Sequence, residues 1–244
     1  MSGEPYYRHD LALVHHEGFG SHAEACAPGI LSLLQPVRDR DGLVVELGCG
    51  SGLLTRYLLD AGHRVIAADA SPAMLQLAGE VVADADEIRR LTLPHDPIPA
   101  ADAIVSIGHA LSYLPDAASI DRALVMIARA LRPGGVLAID LCDLEWAATR
   151  IDQPSRGWLG EGWALVTEFS VPSPDRYVRQ MATFIRSGDG SWRRDDERHD
   201  NVMIDTTLVP GLLAEQGVEA RVEESFGDET LPAGLRAIIG RRPA

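Results

Sequence analysis

The clearest pattern along the chain is a short apolar run, Leu43–Leu47, followed by three closely spaced glycines and then an amphipathic segment, Leu53–Leu59. A continuous apolar run bounded by turn residues is typical of a parallel strand that is covered on both faces. Gly48, Gly50 and Gly52 allow a tight turn that a ligand can approach, and the following helix points its backbone N–H groups at that turn. The stretch therefore predicts a buried strand, a ligand-binding turn and a helix.

The same alternation of apolar runs and helical segments continues to about residue 142 and predicts four more strands. They are Arg64–Asp69, Ile88–Leu93, Asp102–Ile107 and Val136–Leu141. After residue 142 the period changes to two, over Trp163–Val171 and Tyr177–Arg186, which indicates antiparallel strands. A final helix over Leu208–Gln216 precedes two closing strands, Ala220–Phe226 and Leu235–Gly240.

The glycine turn has the pattern E-x-G-x-G-x-G, with Glu46 two residues before the first glycine. Dinucleotide-binding turns have G-x-G-x-x-G, and this chain has Leu53 at the third glycine position. The pattern resembles motif I of the class I S-adenosylmethionine (SAM) methyltransferases. Two further stretches, Gly108–Asp116 and Leu131–Gly135 (L-R-P-G-G), resemble the same family. The resemblance as a whole is strong over residues 40–145 and weak over residues 206–242.

This resemblance implies an α/β fold with a Rossmann-like seven-stranded sheet in the order 3-2-1-4-5-7-6. Strand 7 is antiparallel, helices cover both faces, and an antiparallel insertion follows strand 5. We expect an N-terminal helical lid over residues 1–39 and a SAM-binding core over 40–142. A substrate-side insertion over 143–205 and the closing part of the core over 206–244 complete the predicted organisation.

The resemblance also implies SAM as the cofactor. The predicted SAM-binding residues are Tyr7, Glu46, Gly48, Cys49, Gly50, Asp69, Ala70, Met74, Leu93, Pro94, Gly108 and His109. Asp69 ends the second strand beside the glycine turn, where a carboxylate can accept both ribose hydroxyls; the alternative is a helix cap. Relatives often have an acid after strand three for the adenine, and this chain has Leu93-Pro94-His95-Asp96-Pro97 instead. Either Asp96 replaces that acid, or Leu93 and His95 pack on the ring.

Methyl transfer to a hydroxyl benefits from a general base, and a neutral histidine suits that role. His109 is the first candidate, because the resemblance places it at the mouth of the transfer site, and His199 is the second. The alternative for His109 is an imidazole that packs on the cofactor or steers the substrate. His15 and His16 are either ligand contacts or exposed residues of a surface helix, and we expect His22 and His63 at the surface.

The composition narrows the classes of partner that the protein is expected to bind. The 244 residues contain 36 acidic and 22 basic residues, a net charge of −14, which disfavours nucleic acid and anionic membranes. The three cysteines are widely spaced and predict neither disulfides nor a zinc site. We expect a cytoplasmic protein, with no signal peptide, no membrane span and no metal. The oligomeric state stays open, with a homodimer as one alternative.

The expected function is methyl transfer to an oxygen or nitrogen of a small molecule, such as a secondary metabolite or sugar. The acceptor class follows by elimination, since the signatures of nucleic acid and protein arginine methyltransferases are absent. One alternative is a SAM-binding protein without catalysis on the same fold. A nicotinamide-dependent oxidoreductase is disfavoured by Leu53.

Overall fold

The computed structural model describes residues 6–244, and residues 1–5 of the predicted lid lie outside them. The helices are α1 His9–Gly18, α2 Ser21–Arg38, α3 Leu53–Asp60, α4 Pro72–Val81, α5 Ala117–Ala130, α6 Leu144–Ala148 and α7 Val209–Ala214. The strands are β1 Leu43–Leu47, β2 Arg64–Asp69, β3 Glu87–Arg90, β4 Ala101–Ser106, β5 Leu131–Cys142, β6 Arg156–Gly160, β7 Trp163–Ser173, β8 Arg176–Arg186, β9 Trp192–Val202, β10 Glu219–Glu223 and β11 Leu235–Arg241. No helix of the described residues is long and apolar enough to cross a membrane.

Seven of these strands form one sheet in the order β3-β2-β1-β4-β5-β11-β10. The first five are mutually parallel, and β11 is antiparallel to both β5 and β10. Counted within this sheet alone, the order is 3-2-1-4-5-7-6 with a reversed seventh strand, so the predicted fold class is confirmed. The chain order reverses between β1 and β4, which in open α/β sheets is where ligands bind.

Two apolar layers hold the helices on the sheet. Side chains of α2 and α3 pack with one face of the central strands, where Ile30, Leu34 and Leu58 are inaccessible to solvent. Side chains of α5 and α7 pack on the opposite face, with Leu124 and Leu213 equally buried. Because both faces are covered, the central strands are nearly all apolar.

Local signals explain where several elements begin. Ser71 precedes α4, and its Oγ accepts a hydrogen bond from the backbone N–H of Met74, while Pro72 occupies the first turn. Asp116 caps α5 in the same way, through the N–H of Ser119. Both caps satisfy N–H groups that a helix cannot bond internally.

The other four strands form a separate antiparallel sheet, β6-β7-β8-β9, inserted between β5 and the last helix of the chain. Helix α1 lies against it, and Leu11 and Val14 pack with Trp163, Leu165 and Met181 in a third apolar cluster. The small sheet is thereby fastened to the N-terminal part of the chain as well as to the main sheet.

Candidate functional site

A large cavity of about 830 Å³ lies where the chain order of the main sheet reverses, at the carboxyl ends of its central strands. We call it the large cavity. Its walls include Tyr7, Gly48, Asp69, Gly108 and Tyr113. Its volume falls within the range of about 300–1,000 Å³ that is usual for small-molecule sites.

The glycine turn forms the floor of the large cavity and is tied to the neighbouring strand. The backbone N–H groups of Gly48 and Cys49 both donate to the carbonyl oxygen of Ala68, at 2.8 and 3.0 Å. Gly48 has φ +71°, and a Cβ at this position would lie 2.5 Å from the Cβ of Ala110. Only glycine fits there without moving the neighbouring loop.

Asp69 lies at the end of β2 and joins the turn to helix α4. One carboxylate oxygen accepts from the N–H of Gly50 at 2.9 Å, and the other accepts from the N–H of Ser71 at 2.8 Å. Burial raises the pKa of Asp69, and these backbone donors oppose that effect. The backbone of Ala70 contributes a third hydrogen bond. Because a carboxylate has about four acceptor positions, acceptor capacity remains for a hydroxyl of a ligand in the large cavity.

A second carboxylate, Asp140 on β5, holds the loop that follows β4. Its oxygens accept from the N–H groups of Gly108 and His109, at 2.8 and 2.6 Å. Both loop residues have positive φ, +74° and +51°. The Nε2 atom of His22, on α2, lies 2.9 Å from the same carboxylate. Asp140 thus fixes the strained turn formed by Gly108 and His109.

The small cavity, of about 240 Å³, lies under the four-stranded sheet. It shares two wall residues, Tyr7 and His15, with the large cavity. Its remaining walls come from α1, α6, the small sheet and the loops beside them: Leu11, Phe19, His109, Trp146, Arg150, Gln153, Arg156, Trp158, Leu165, Thr167, Phe169, Tyr177, Arg179 and Met181. The two cavities therefore adjoin at Tyr7 and His15.

Two imidazoles at this site are neutral at pH 7. Burial, with the nearby Arg179 guanidinium, lowers the pKa of His15 to about 4. The same two causes lower the pKa of His109 well below its ordinary value. In both rings Nδ1 is buried and has no hydrogen-bond partner among the described residues. Both rings are therefore uncharged at neutral pH and weaker bases than an exposed histidine.

The N-terminal segment, Tyr6–Arg8, crosses the large cavity and is held from two sides. The Glu197 carboxylate on β9 accepts from the N–H groups of Tyr7 and Arg8, at 2.9 and 2.8 Å. On the opposite side the Ser71 hydroxyl donates to the carbonyl oxygen of Tyr7 at 2.7 Å. Glu197 also lies 2.9 Å from Nε2 of His199.

Most of the predicted SAM-binding residues line the large cavity. They are Tyr7, Gly48, Gly50, Asp69, Ala70, Met74, Leu93 and Gly108. Glu46, Cys49 and Pro94 do not line it, and His109 lines the small cavity instead. Of the two candidate bases, His109 therefore reaches a cavity, whereas His199 is buried behind the walls of both.

Glu46 lies below the glycine turn, where its carboxylate accepts from the Thr55 hydroxyl at 2.6 Å. Burial raises the pKa of Glu46 to about 8. Asp96, a candidate for the adenine, caps the backbone N–H of Thr92 and lies outside the walls of the large cavity. Leu93 and His95, the alternative contacts, do line it.

The expectation that His22 and His63 lie at the surface is wrong. His63 is buried, and only 28% of the His22 side chain is exposed. Burial alone would lower the pKa of His22, but the Asp140 carboxylate and Cys26 outweigh it and raise the pKa to about 10. His22 is therefore a cation at neutral pH, paired with Asp140.

Sequence reasoning did not identify Asp140, Glu197 or the arginines of the small cavity. Asp140 had one available signal, since it is a charged residue within an otherwise apolar, two-sided strand, Val136–Leu141. Glu197 and Arg179 had none, because their roles depend on how the small sheet packs. No cluster of metal-binding side chains occurs within residues 6–244.

Comparison with known proteins agrees with this geometry. Residues 44–135 match the methyltransferase domain family. The chain is 37% identical over 119 residues to malonyl-acyl-carrier-protein O-methyltransferase of Pectobacterium atrosepticum, covering 46% of each protein. It is 34% identical over 115 residues to rat glycine N-methyltransferase, covering 40% of this chain and 39% of that protein. The chain thus spans less than half of the length of these curated relatives.

Solved structures extend the likeness to the whole fold. The sugar N-methyltransferase KedS8 of a Streptoalloteichus species has a TM-score of 0.79 at 21% identity, over 100% of this chain and 97% of that one. The amino pentose methyltransferase CalS10 of Micromonospora echinaspora has a TM-score of 0.72 at 19% identity, over 99% and 100%. Residues 44–135 thus resemble the methyltransferase domain family, and the whole chain has the fold of solved SAM-dependent methyltransferases.

Proposed function

We propose that the protein is an enzyme that methylates an oxygen or nitrogen of a small polar molecule, with SAM in the large cavity and the acceptor in the small one. The observation that carries this proposal is that the two cavities adjoin at Tyr7 and His15. Methyl transfer requires the acceptor atom to approach the methyl group in line with the departing sulfur. Because Tyr7 and His15 line both cavities, an acceptor in the small cavity would lie beside a ligand in the large one.

The residues of the large cavity fit SAM. Asp69 has acceptor capacity for a ribose hydroxyl, and the glycine turn leaves its backbone open to the ligand. Leu93 and Met74 offer apolar contact beside it. When bound, SAM supplies an activated methyl group on a sulfonium. The remaining chemistry is the orientation of the acceptor and the removal of its proton.

We assign His15 and His109 as candidate contacts of the acceptor, of which His15 lines both cavities. Since both imidazoles are neutral at pH 7, each can accept a hydrogen bond from a hydroxyl or an amine and orient it. His199 is a positioning residue in this proposal, because it contacts Glu197 and lies behind the cavity walls. The N-terminal segment and the four-stranded sheet enclose the acceptor.

The structural neighbours support a sugar-sized acceptor. KedS8 is named as a sugar N-methyltransferase and CalS10 as an amino pentose methyltransferase, and both cover nearly the whole chain, including the small sheet. The small cavity has aromatic walls with hydrogen-bonding groups between them, such as Gln153 and Thr167. Such a surface suits a polar ring with an amino or hydroxyl group.

The test is calorimetric titration with SAM and with S-adenosylhomocysteine (SAH), using NAD as the control ligand. We expect micromolar binding of both adenosyl ligands and none of NAD. Amino sugars and small amines or alcohols are then incubated with SAM and the protein, and products are detected by mass. Failure of both adenosyl ligands to bind would overturn the proposal. Binding without methylation of any acceptor would favour a SAM-binding protein without catalysis.

A further inference from the structure

The small cavity carries an unbalanced charge. Its described walls contain three arginines, Arg150, Arg156 and Arg179, and no aspartate or glutamate. This is unusual for a chain with a net charge of −14. On β9 of the same sheet, Arg194 and Arg198 pair with carboxylates two residues away, at 2.6 and 2.8 Å.

Arg179 is the innermost of the three and lacks a counter-ion among the described residues. Its Nη2 donates to the hydroxyl of Tyr113 and lies 3.5 Å from Nδ1 of His199. Its Nε is buried and has no hydrogen-bond partner. A guanidinium removed from water without an anion is costly, and an unsatisfied buried donor adds to that cost. An anionic ligand in the small cavity would balance the charge of this guanidinium.

Arg150 lies on another wall of the small cavity. Its Cζ stands 3.5 Å from the centroid of the Trp146 ring, a cation–π contact. Its Nη1 donates to the carbonyl oxygens of Trp146 and Ala233 and to the Thr149 hydroxyl, and it forms no ion pair with a described carboxylate. Neutral partners orient this guanidinium and leave its charge uncompensated.

Arg156 completes the set at the exposed rim of the small cavity, on the edge strand β6. No described residue forms a hydrogen bond or ion pair with its side chain. The arginines thus extend from the interior to the opening, between apolar walls such as Trp158 and Phe169. Low polarity around a charge strengthens its interaction with an opposite charge.

We propose that the acceptor is an anion, a carboxylate or a phosphate ester, whose charged group binds the guanidinium groups of Arg179, Arg150 and Arg156 while its methylated atom faces His15. This inference rests on the proposed function, since it names the class of acceptor for the same small cavity. Guanidinium groups bind carboxylates and phosphates through paired N–H donors. The neutral residue types of the remaining walls hold the rest of the molecule.

The test uses the full chain saturated with SAH, so that the large cavity is filled and anions cannot bind at the glycine turn. Inorganic pyrophosphate and malonate are titrated separately by calorimetry, one probe for phosphate and one for carboxylate. We expect at least one to bind, and Arg179→Gln and Arg156→Gln each to weaken it about 10- to 100-fold. Arg186→Gln is the matched control, because Arg186 is exposed on β8 outside the small cavity and should leave anion affinity unchanged.

Two results would overturn the inference: no binding of either probe at millimolar concentrations, or equal binding by the cavity variants and Arg186→Gln. Arg156→Gln guards against misfolding, since its side chain makes no described hydrogen bond, and thermal unfolding is measured for each variant. SAH binding is measured first. If SAH fails to bind, the proposed function fails. If SAH binds but the arginine variants bind the anions as tightly as the wild type, only the proposed acceptor class is overturned.

Discussion

The two cavities are built in opposite ways. The large cavity is formed mainly by the ends of adjacent strands and the loops that follow them, and Asp69 within it accepts hydrogen bonds from backbone N–H groups. The small cavity is formed by side chains from elements far apart in the chain, from Tyr7 to Met181, and its charged groups are all arginines. The large cavity thus depends mainly on backbone geometry, and the small cavity depends on its side chains.

This difference shows which parts of the site can vary independently. A turn that binds through backbone N–H groups depends on its glycines and on one carboxylate. Few of its residues can therefore be substituted without loss of ligand binding. A cavity lined by the small sheet can change its walls by substitution while the main sheet is unaffected. If the two cavities are independent, a substitution in one should leave ligand binding in the other unchanged.

Gly48→Ala should have the largest effect. The new Cβ would lie 2.5 Å from the Cβ of Ala110, and φ at this position is +71°. We expect the free energy of unfolding to fall by about 2–5 kcal/mol, the sum of backbone strain and overpacking, with loss of SAH binding. Urea unfolding and calorimetry measure the two. Gly62→Ala is the control, because φ is +84° but a Cβ there meets nothing within 4 Å. Equal losses in both variants would contradict the close approach.

Asp140→Asn should remove the carboxylate that holds the Gly108–His109 turn and pairs with His22. We expect a loss of about 2–4 kcal/mol in unfolding free energy at pH 6, because a buried ion pair is broken. His22→Gln should cost less, since Asp140 keeps its two backbone donors. Urea unfolding of both variants makes the comparison.

The pH dependence of this loss has a definite sign. Because the pKa of His22 is raised to about 10, the pair stabilises the folded state fully below the ordinary histidine pKa of about 6.5. That contribution declines as the pH rises from about 6.5 to 10. The difference between the wild type and Asp140→Asn should therefore shrink over this range. A difference that grows with pH would contradict the assignment of His22 as the cation.

The main sheet could be predicted from the sequence because its strands are short apolar runs that end in turn residues. β2, Arg64–Asp69, agrees residue by residue, and Ser71-Pro72 starts α4 as expected. In contrast, β6 was missed, because Arg156–Gly160 contains two glycines and shows neither alternation nor an apolar run. Such an edge strand is specified by its pairing with β7 and not by its own pattern.

The same limit applies to the site. Glycine spacing and an acid at a strand end are local signals, so Gly48, Gly50 and Asp69 could be placed in one cavity from the sequence. Glu197 binds the N-terminal segment, and Arg179 donates to Tyr113 in the loop that follows β4, so both act across a boundary of the small sheet. No local pattern states which face of an antiparallel insertion turns toward the core, so these residues required the structure.

Asp69→Asn should separate the two cavities. The amide removes the charge and one acceptor oxygen, so we expect affinity for SAM and SAH to fall by about 1–3 kcal/mol. Pyrophosphate or malonate binding by the small cavity should not change, because Asp69 does not line it. Calorimetry with each ligand measures both. Unchanged SAH affinity would contradict the assignment of Asp69 as the residue that binds the ribose.

Glu197→Gln tests the smallest effect, the fastening of the N-terminal segment over the large cavity. The Glu197 carboxylate accepts from the N–H groups of Tyr7 and Arg8, and an amide offers one acceptor oxygen where the carboxylate has two. We expect the segment to open more readily and SAH to dissociate a few-fold faster, which corresponds to about 0.5–1.5 kcal/mol. Stopped-flow displacement measures that rate.

Glu168→Gln is the control for this variant, because Glu168 is exposed on β7 and makes the same change in net charge away from both cavities. The unfolding free energy of Glu197→Gln is measured against the same control, because Glu197 also contacts the buried His199. A slower or unchanged dissociation rate would mean that the ligand leaves by a path that the N-terminal segment does not cover.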